Sequence, residues 1–365
     1  MTSKQFYILL ALFVISLKVQ KLPCFMFDAV GKDSYLLFLM FIAVNLVGIL
    51  MAVFVLKINK QLKVQNKKVG KFVLVFQKML YALSVFYFIV QALLLYEHIQ
   101  DLFSNTLFDN MPWWIFSLLL LFAVFYLAHS GIKNIALGGE LYIVLIVFSY
   151  IVIGILSGIH TDFSNVLPFE TIKMSSLADN FVKFNTWFGD FFVILFLGNK
   201  AKDFKLGKTL LTYILSTMFV VFLVVCFNGI YLENTALQAG MISEITERSM
   251  IGMNIGRIDW FLILITEIGA IISCGLMLFF AQDSARKVFC KTKSIFIEIA
   301  LAFVIYYFDI FYLVDMHAKR NFFYGFVSYY AISLKVSATV LLFLMAVIYF
   351  FKDRKTEIKK FEKKG

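Results

Sequence analysis

Apolar residues gather in ten long stretches along this chain, at 3–27, 33–56, 72–99, 112–131, 139–158, 184–198, 208–232, 257–283, 294–316 and 326–351, with short polar segments between them. A bilayer core of about 30 Å is crossed by about 20 apolar residues rising 1.5 Å each. The pattern therefore predicts ten transmembrane helices and an all-α polytopic membrane protein. Composition supports this: 61% of the 365 residues are hydrophobic and 16% charged, with mean hydropathy +0.87. A water-soluble domain of this size cannot hide so much apolar surface. No low-complexity linker or soluble module interrupts the pattern, so residues 1–365 read as a single membrane domain ending in a basic tail at 352–365.

The net charge of +11 is distributed by loop. One set of loops carries Lys57, Lys60, Lys63, Lys67, Lys68 and Lys71, then Lys200, Lys202, Lys205 and Lys208, then Arg286, Lys287, Lys291 and Lys293. The tail adds seven cations between Lys352 and Lys364. The alternate loops carry Asp101, Asp109, Asp162, Glu170, Glu233, Glu244 and Glu247 instead. The positive-inside rule then predicts that both termini and the basic loops lie in the cytoplasm. The basic loops are too short to form a nucleic-acid-binding module, so no nucleic-acid partner is expected.

At the N-terminus, Lys4 and the run Phe6–Leu17 resemble a secretion signal, but no small-residue cleavage site follows. A retained, interrupted first helix is the better reading. Cys24, Cys226, Cys274 and Cys290 are scattered, without a CxxC pair or a nearby histidine, and suggest neither disulfide nor zinc site. No nucleophile elbow, P-loop, HExxH or dinucleotide fingerprint stands in a plausible context, so neither enzyme nor cofactor is expected.

Two stretches look broken. In the first, Ile15-Ser16-Leu17-Lys18-Val19-Gln20-Lys21-Leu22-Pro23 sets two lysines, a glutamine and a proline inside an apolar run. The sixth is short and opens Phe184-Asn185-Thr186-Trp187-Phe188-Gly189-Asp190-Phe191. Spans one and six are equivalent elements if the chain is two five-helix halves of opposite topology, about 1–158 and 184–351. Breaks at matching positions of two halves point to a midplane site, where half-helix ends offer free N–H and C=O groups. Among the longer loops, Asn165-Val166-Leu167-Pro168 predicts an extended approach to span six, and Ser243–Arg248 a short surface helix.

Motif order along nearly the whole chain resembles the GerAB-type spore germination permeases, the B subunits of germinant receptors, within the amino acid–polyamine–organocation transporter superfamily. The residues are Leu22-Pro23 with the following Ala29–Gly31 turn, Asn165-Val166-Leu167-Pro168, and Phe188-Gly189-Asp190-Phe191-Phe192-Val193-Ile194-Leu195-Phe196-Leu197 ahead of a lysine-rich loop. Ile255-Gly256-Arg257-Ile258-Asp259-Trp260-Phe261 and the Arg286-Lys287-Val288-Phe289 exit complete the series. The resemblance implies a LeuT-like fold that binds a small germinant, commonly an amino acid. It also implies a large A subunit and a lipoprotein C subunit as partners, in the inner membrane of a spore. Relatives place glycine-containing residues in the first break, where bare amides receive a substrate carboxylate. This chain has Ser16-Leu17-Lys18 there. Its backbone admits a ligand less closely, and Lys18 either meets an anionic group directly or pairs with an internal acid.

Ionisable groups inside spans face the protein interior or a cavity. Lys18 lies about 9 residues, roughly 14 Å, from the outer end of its span; it either orients an anionic ligand or pairs with Asp190 or Glu267. Asp190, at the sixth-span break, and Glu267, in span eight, are candidates for a ligand ammonium group or for proton coupling, or are counter-ions of Lys18. Ser16 and Gln20 at the first break, with Phe184, Trp187, Phe188 and Gly189 at the other, complete the candidate ligand site. Asp309 and Lys335 lie at similar depth on consecutive spans and predict a structural ion pair. Lys78 reads as snorkelling to the interface, and Glu97 and His98 as interfacial. Three functions stay open: a ligand-sensing germinant-receptor subunit, an ion-coupled secondary amino acid transporter, and a ligand-free membrane scaffold.

Overall fold

A computed structural model describes residues 1–64, 71–106, 112–166, 174–231, 234–235, 240–250, 258–289, 295–312 and 327–361. All thirteen longer elements in this set are α-helices. They are α1 (Ser3–Lys18), α2 (Leu22–Val30), α3 (Ser34–Val64), α4 (Lys71–Thr106), α5 (Trp113–Ser130), α6 (Ile132–His160) and α7 (Met174–Phe184). After these come α8 (Asp190–Lys200), α9 (Leu206–Tyr231), α10 (Met241–Met250), α11 (Ile258–Phe289), α12 (Ile295–Tyr312) and α13 (Val327–Phe361). Backbone polar groups in lipid must be satisfied within the segment, so apolar runs of this length fold as helices.

Local sequence sets the ends. Thr2 and Gln5 form a reciprocal capping box before α1: the Thr2 hydroxyl accepts from the Gln5 amide at 3.3 Å and the Gln5 side chain accepts from the Thr2 amide at 2.9 Å. Pro23 sits in the first turn of α2, where its missing N–H costs no helical bond. Gly31, at φ 74, ends α2 in a backbone region that L side chains avoid. The helix α13 continues through the basic stretch to Phe361, so the part of the tail up to 361 is an extension of the last helix.

Among the described residues, six helical segments are long and apolar enough to cross a membrane: Leu22–Lys57, Leu74–Phe103, Ile132–His160, Ala178–Lys200, Leu206–Tyr231 and Trp260–Phe289. Two shorter apolar helices, Trp114–Ser130 and Val327–Leu341, accompany them. Large apolar side chains stand exposed in rows on α3 (Val44, Val47, Phe54), α6 (Leu141, Val144, Phe148, Ile155) and α12 (Phe296, Phe303, Phe311). Such rows are the face a bilayer covers. The protein is a multi-pass, all-helical membrane protein.

The inner elements are α1, α4, α8 and α11. The α11 helix packs along α4, α5 and α6, and α1 lies against α6, α9 and α11. Of the most apolar window in Trp260–Phe289, 78% is buried, against 33% in Ile132–His160; the inner helices therefore offer the most positions shielded from lipid. Gly154 and Gly158 of α6 meet Phe219 and Phe222 of α9, the close approach that small residues allow between membrane helices.

Two expectations change here. The sixth stretch begins earlier than 184, because the polar-looking run Met174–Phe184 is itself a helix, and Phe181 stacks on Phe41 at 4.4 Å. The segment around Ser243 is helical as expected, but it is no surface helix: Met241, Ile242 and Ile245 of α10 are fully buried, against α6, α9 and α11. Leu167-Pro168, Ile255-Gly256-Arg257, Cys290, Lys291 and Lys293 lie outside the described residues.

Candidate functional site

The first break falls where α1 stops. Lys18 ends the helix, Val19, Gln20 and Lys21 are non-helical, and α2 starts at Leu22. Freed from helical pairing, the Gln20 carbonyl accepts from the Met241 amide at 3.2 Å, tying the break to α10. The Gln20 side chain donates to Glu267 Oε1 on α11 at 2.7 Å. Both residues are buried. Glu267 Oε2 and Gln20 Oε1 accept no hydrogen bond from any described residue. Lys21 reaches the other way, to Glu97 of α4 at 3.2 Å and to Asp101 one turn on.

The second break separates α7 from α8. Asn185–Trp187 forms one 3-10 turn, Phe188 and Gly189 leave the helix, and Asp190 opens α8. Lys18 pairs with Asp190 at 2.7 Å, with relative side-chain exposures of 1% and 0%. The rings of Phe188 and Phe13 lie 5.4 and 5.9 Å from the ammonium. An acid in the first turn also meets the positive end of the helix dipole. The Gln91 amide donates to Thr186 O at 2.6 Å, and Phe188 stacks face to face on Phe41 at 4.0 Å. Gly189 is required for space: a Cβ there would lie 2.0 Å from the Tyr87 hydroxyl oxygen.

These contacts divide the predicted site residues into two groups. Ser16, Gln20 and Trp187 line a cavity of about 20 Å³, together with Lys21, Leu94, Glu97 and His98. That is room for about one water. Glu267 is joined to the cavity wall through Gln20. Lys18, Asp190, Phe188 and Gly189 form a packed unit at the other break, and Phe184 is buried near Trp187, ring centroids 6.1 Å apart. Lys18 is thus the counter-ion of an internal acid, one of the two roles its sequence position allowed.

The expected Asp309–Lys335 ion pair is not formed. The Lys335 ammonium donates instead to Asn185 Oδ1 at 2.8 Å, to Phe188 O at 2.5 Å and to Asn185 O. Asp309 on α12 accepts from Ser117 Oγ at 2.8 Å, and Ser117 is bonded in turn to Tyr96. With its amide nitrogen turned to the carboxylate, Gln100 donates to Asp309 Oδ1 at 2.8 Å. Nearer oxygens at the α7–α8 break capture the lysine, while donors on α4 and α5 capture the acid. Among the described residues no three His, Cys, Asp or Glu side chains gather as a metal site.

The profile of the family described as "Spore germination protein" matches residues 1–321. The chain belongs to the spore germination protein family. No curated protein matches it. For this member of the family, the match spans both helix breaks and the whole cavity wall.

Sequence reasoning misplaced two polar residues of that wall and did not find the partners of a third. Glu97 and His98, expected at the interface, are each about 5% exposed and face the cavity. Lys21 was visible as part of the break, but its partners Glu97 and Asp101 lie 76 and 80 positions away. The available signal was an acid and a histidine at the end of an apolar run, which reads equally as interface or as cavity.

Proposed function

We propose that this spore germination protein is the transporter-like membrane subunit of a germinant receptor. It binds a small germinant, an amino acid or related solute, near the membrane midplane and signals to an A subunit and a C lipoprotein subunit. In this reading the ten apolar stretches are ten spans in a LeuT-like 5+5 arrangement, with both termini cytoplasmic, in the spore inner membrane. The observation that carries it is the cavity bounded by the first break, Trp187 of the second break, and α4. Beside it, the buried Glu267 carboxylate keeps an oxygen that no described residue bonds. Asp190 Oδ2 is unbonded too, but that carboxylate already holds Lys18, whereas Glu267 has, among the described residues, only the Gln20 amide. Buried polar groups are nearly always satisfied, so Glu267 is the receiver for a donor group, and an ammonium suits it best.

A cavity of about 20 Å³ holds no amino acid. Binding therefore requires α2 and the Asn185–Gly189 segment to move apart, the rearrangement a transporter-like fold makes between states. Lys18 and Asp190, already paired, serve as the joint between the two breaks rather than as ligand groups. That pairing also favours a second reading, a scaffold whose buried charges satisfy one another. Equilibrium binding of an amino acid panel to protein in nanodiscs separates the two. Saturable binding that Glu267→Gln weakens supports the receptor; no binding in the presence of the partner subunits supports the scaffold. Uptake into vesicles then distinguishes a sensor from an ion-coupled transporter.

A further inference from the structure

The buried Lys335 of α13 has no acidic hydrogen-bond partner among the described residues. Its hydrogen bonds go to three neutral oxygens, all on the α7–α8 break: Asn185 O, Asn185 Oδ1 at 2.8 Å and Phe188 O at 2.5 Å. An ammonium has three donors, and each finds one acceptor. Two of these are main-chain carbonyls where the helix stops, at the end that carries the negative pole of the α7 dipole. Asn185 O also accepts from the Phe188 amide at 3.2 Å and uses its second lone pair for the ammonium. The negative end of α7 thus receives the Lys335 ammonium from α13, while the positive end of α8 carries its own Asp190, whose counter-ion is Lys18 of α1.

Two carbonyls and an amide oxygen converging on one point are the donor set of a small hard cation. We propose that this is a latent monovalent-cation site at the break, occupied by the Lys335 ammonium as a tethered cation that holds α13 to the half-helix end. The protein then needs no dissolved ion at this break. Removing the lysine head leaves a cradle that sodium, potassium or methylammonium fills. The proposal does not depend on whether the chain binds a germinant.

The test is thermal unfolding of purified protein in nanodiscs, with sodium, potassium or methylammonium chloride exchanged for choline chloride at fixed ionic strength. Wild type is expected to unfold at the same temperature in all four salts. Lys335→Ala is expected to unfold several degrees lower in choline, and to recover in a saturable way with at least one small cation. A Lys335→Ala protein that responds to none of them overturns the proposal, as does a wild type that responds as strongly as the variant. If Lys335→Ala does not fold, Asn185→Ala carries the test. It removes one of the three acceptors, so it is expected to lower the transition without making it cation-dependent. An unchanged transition overturns the proposal.

Discussion

The two helix breaks begin from similar sequence, a polar interruption in an apolar run, yet they are finished differently. At Asn185–Gly189 each buried charge is engaged by the fold itself, although Asp190 Oδ2, Thr186 Oγ1 and the Tyr87 hydroxyl have no hydrogen-bond partner among the described residues. Lys335 and Gln91 bond the freed carbonyls, Lys18 bonds Asp190, and Tyr87 fills the space over Gly189. At Val19–Lys21 the side chains spread toward α4, α10 and α11, border a cavity, and leave Glu267 Oε2 and Gln20 Oε1 without a donor among the described residues. One break is therefore a joint and the other a mouth. The difference lies less in the break residues than in the helices opposite them: a lysine faces one, a carboxylate the other.

The largest expected effect comes from cutting the joint. Lys18→Met strands the Asp190 carboxylate in an apolar core and is expected to cost about 3–5 kcal/mol, seen as a lower unfolding temperature. Lys18→Met with Asp190→Leu removes both charges and is expected to recover most of that loss. Should the double variant be no better than the single, the pair is not the principal contact of either residue. The next effect sharpens the contrast: Glu267→Gln leaves the fold intact but weakens ligand binding about 10- to 100-fold, the worth of one charge-assisted hydrogen bond of about 1.5–3 kcal/mol, read by titration calorimetry. Gly189→Ala is expected to cost about 1–3 kcal/mol by overpacking. Tyr87→Phe will not rescue it, because the ring carbon that bears the hydroxyl would still be 2.5 Å from the new Cβ. The smallest effect is at the rim. Glu97→Gln keeps an acceptor oxygen for Lys21 and leaves it Asp101 as counter-ion, and is expected to cost about 1 kcal/mol, the net worth of one hydrogen bond.

Much of this architecture was legible in the residues. Span length and apolarity follow from the bilayer, and the breaks follow from Lys18-Val19-Gln20-Lys21 and from Gly189-Asp190, residues that no continuous lipid-facing helix carries. The candidate partner of Lys18 was legible too, since a buried cation needs an anion and Asp190 is at the matching break. The destination of Lys335 was not. Depth along α12 and α13 made Asp309 its natural partner, but rotation about each helix decides contact, and an apolar pattern on all sides gives no rotation. The α7 half-helix was hidden for the opposite reason. Ser175, Ser176, Asp179, Asn180 and Lys183 read as a loop, while its apolar side, seen in Phe181 on Phe41, is what docks it. Glu97 and His98 show the same ambiguity at the cavity, where position in the sequence cannot tell a rim from an interior.

The division of labour between the breaks is tested most directly by equilibrium amino acid binding to three nanodisc samples: wild type, Glu267→Gln, and the Lys18→Met/Asp190→Leu double variant. The prediction is saturable binding to wild type and to the double variant, with affinity lost in Glu267→Gln. Binding retained by Glu267→Gln and lost in the double variant would contradict the account, and would move the ligand site to the α7–α8 break.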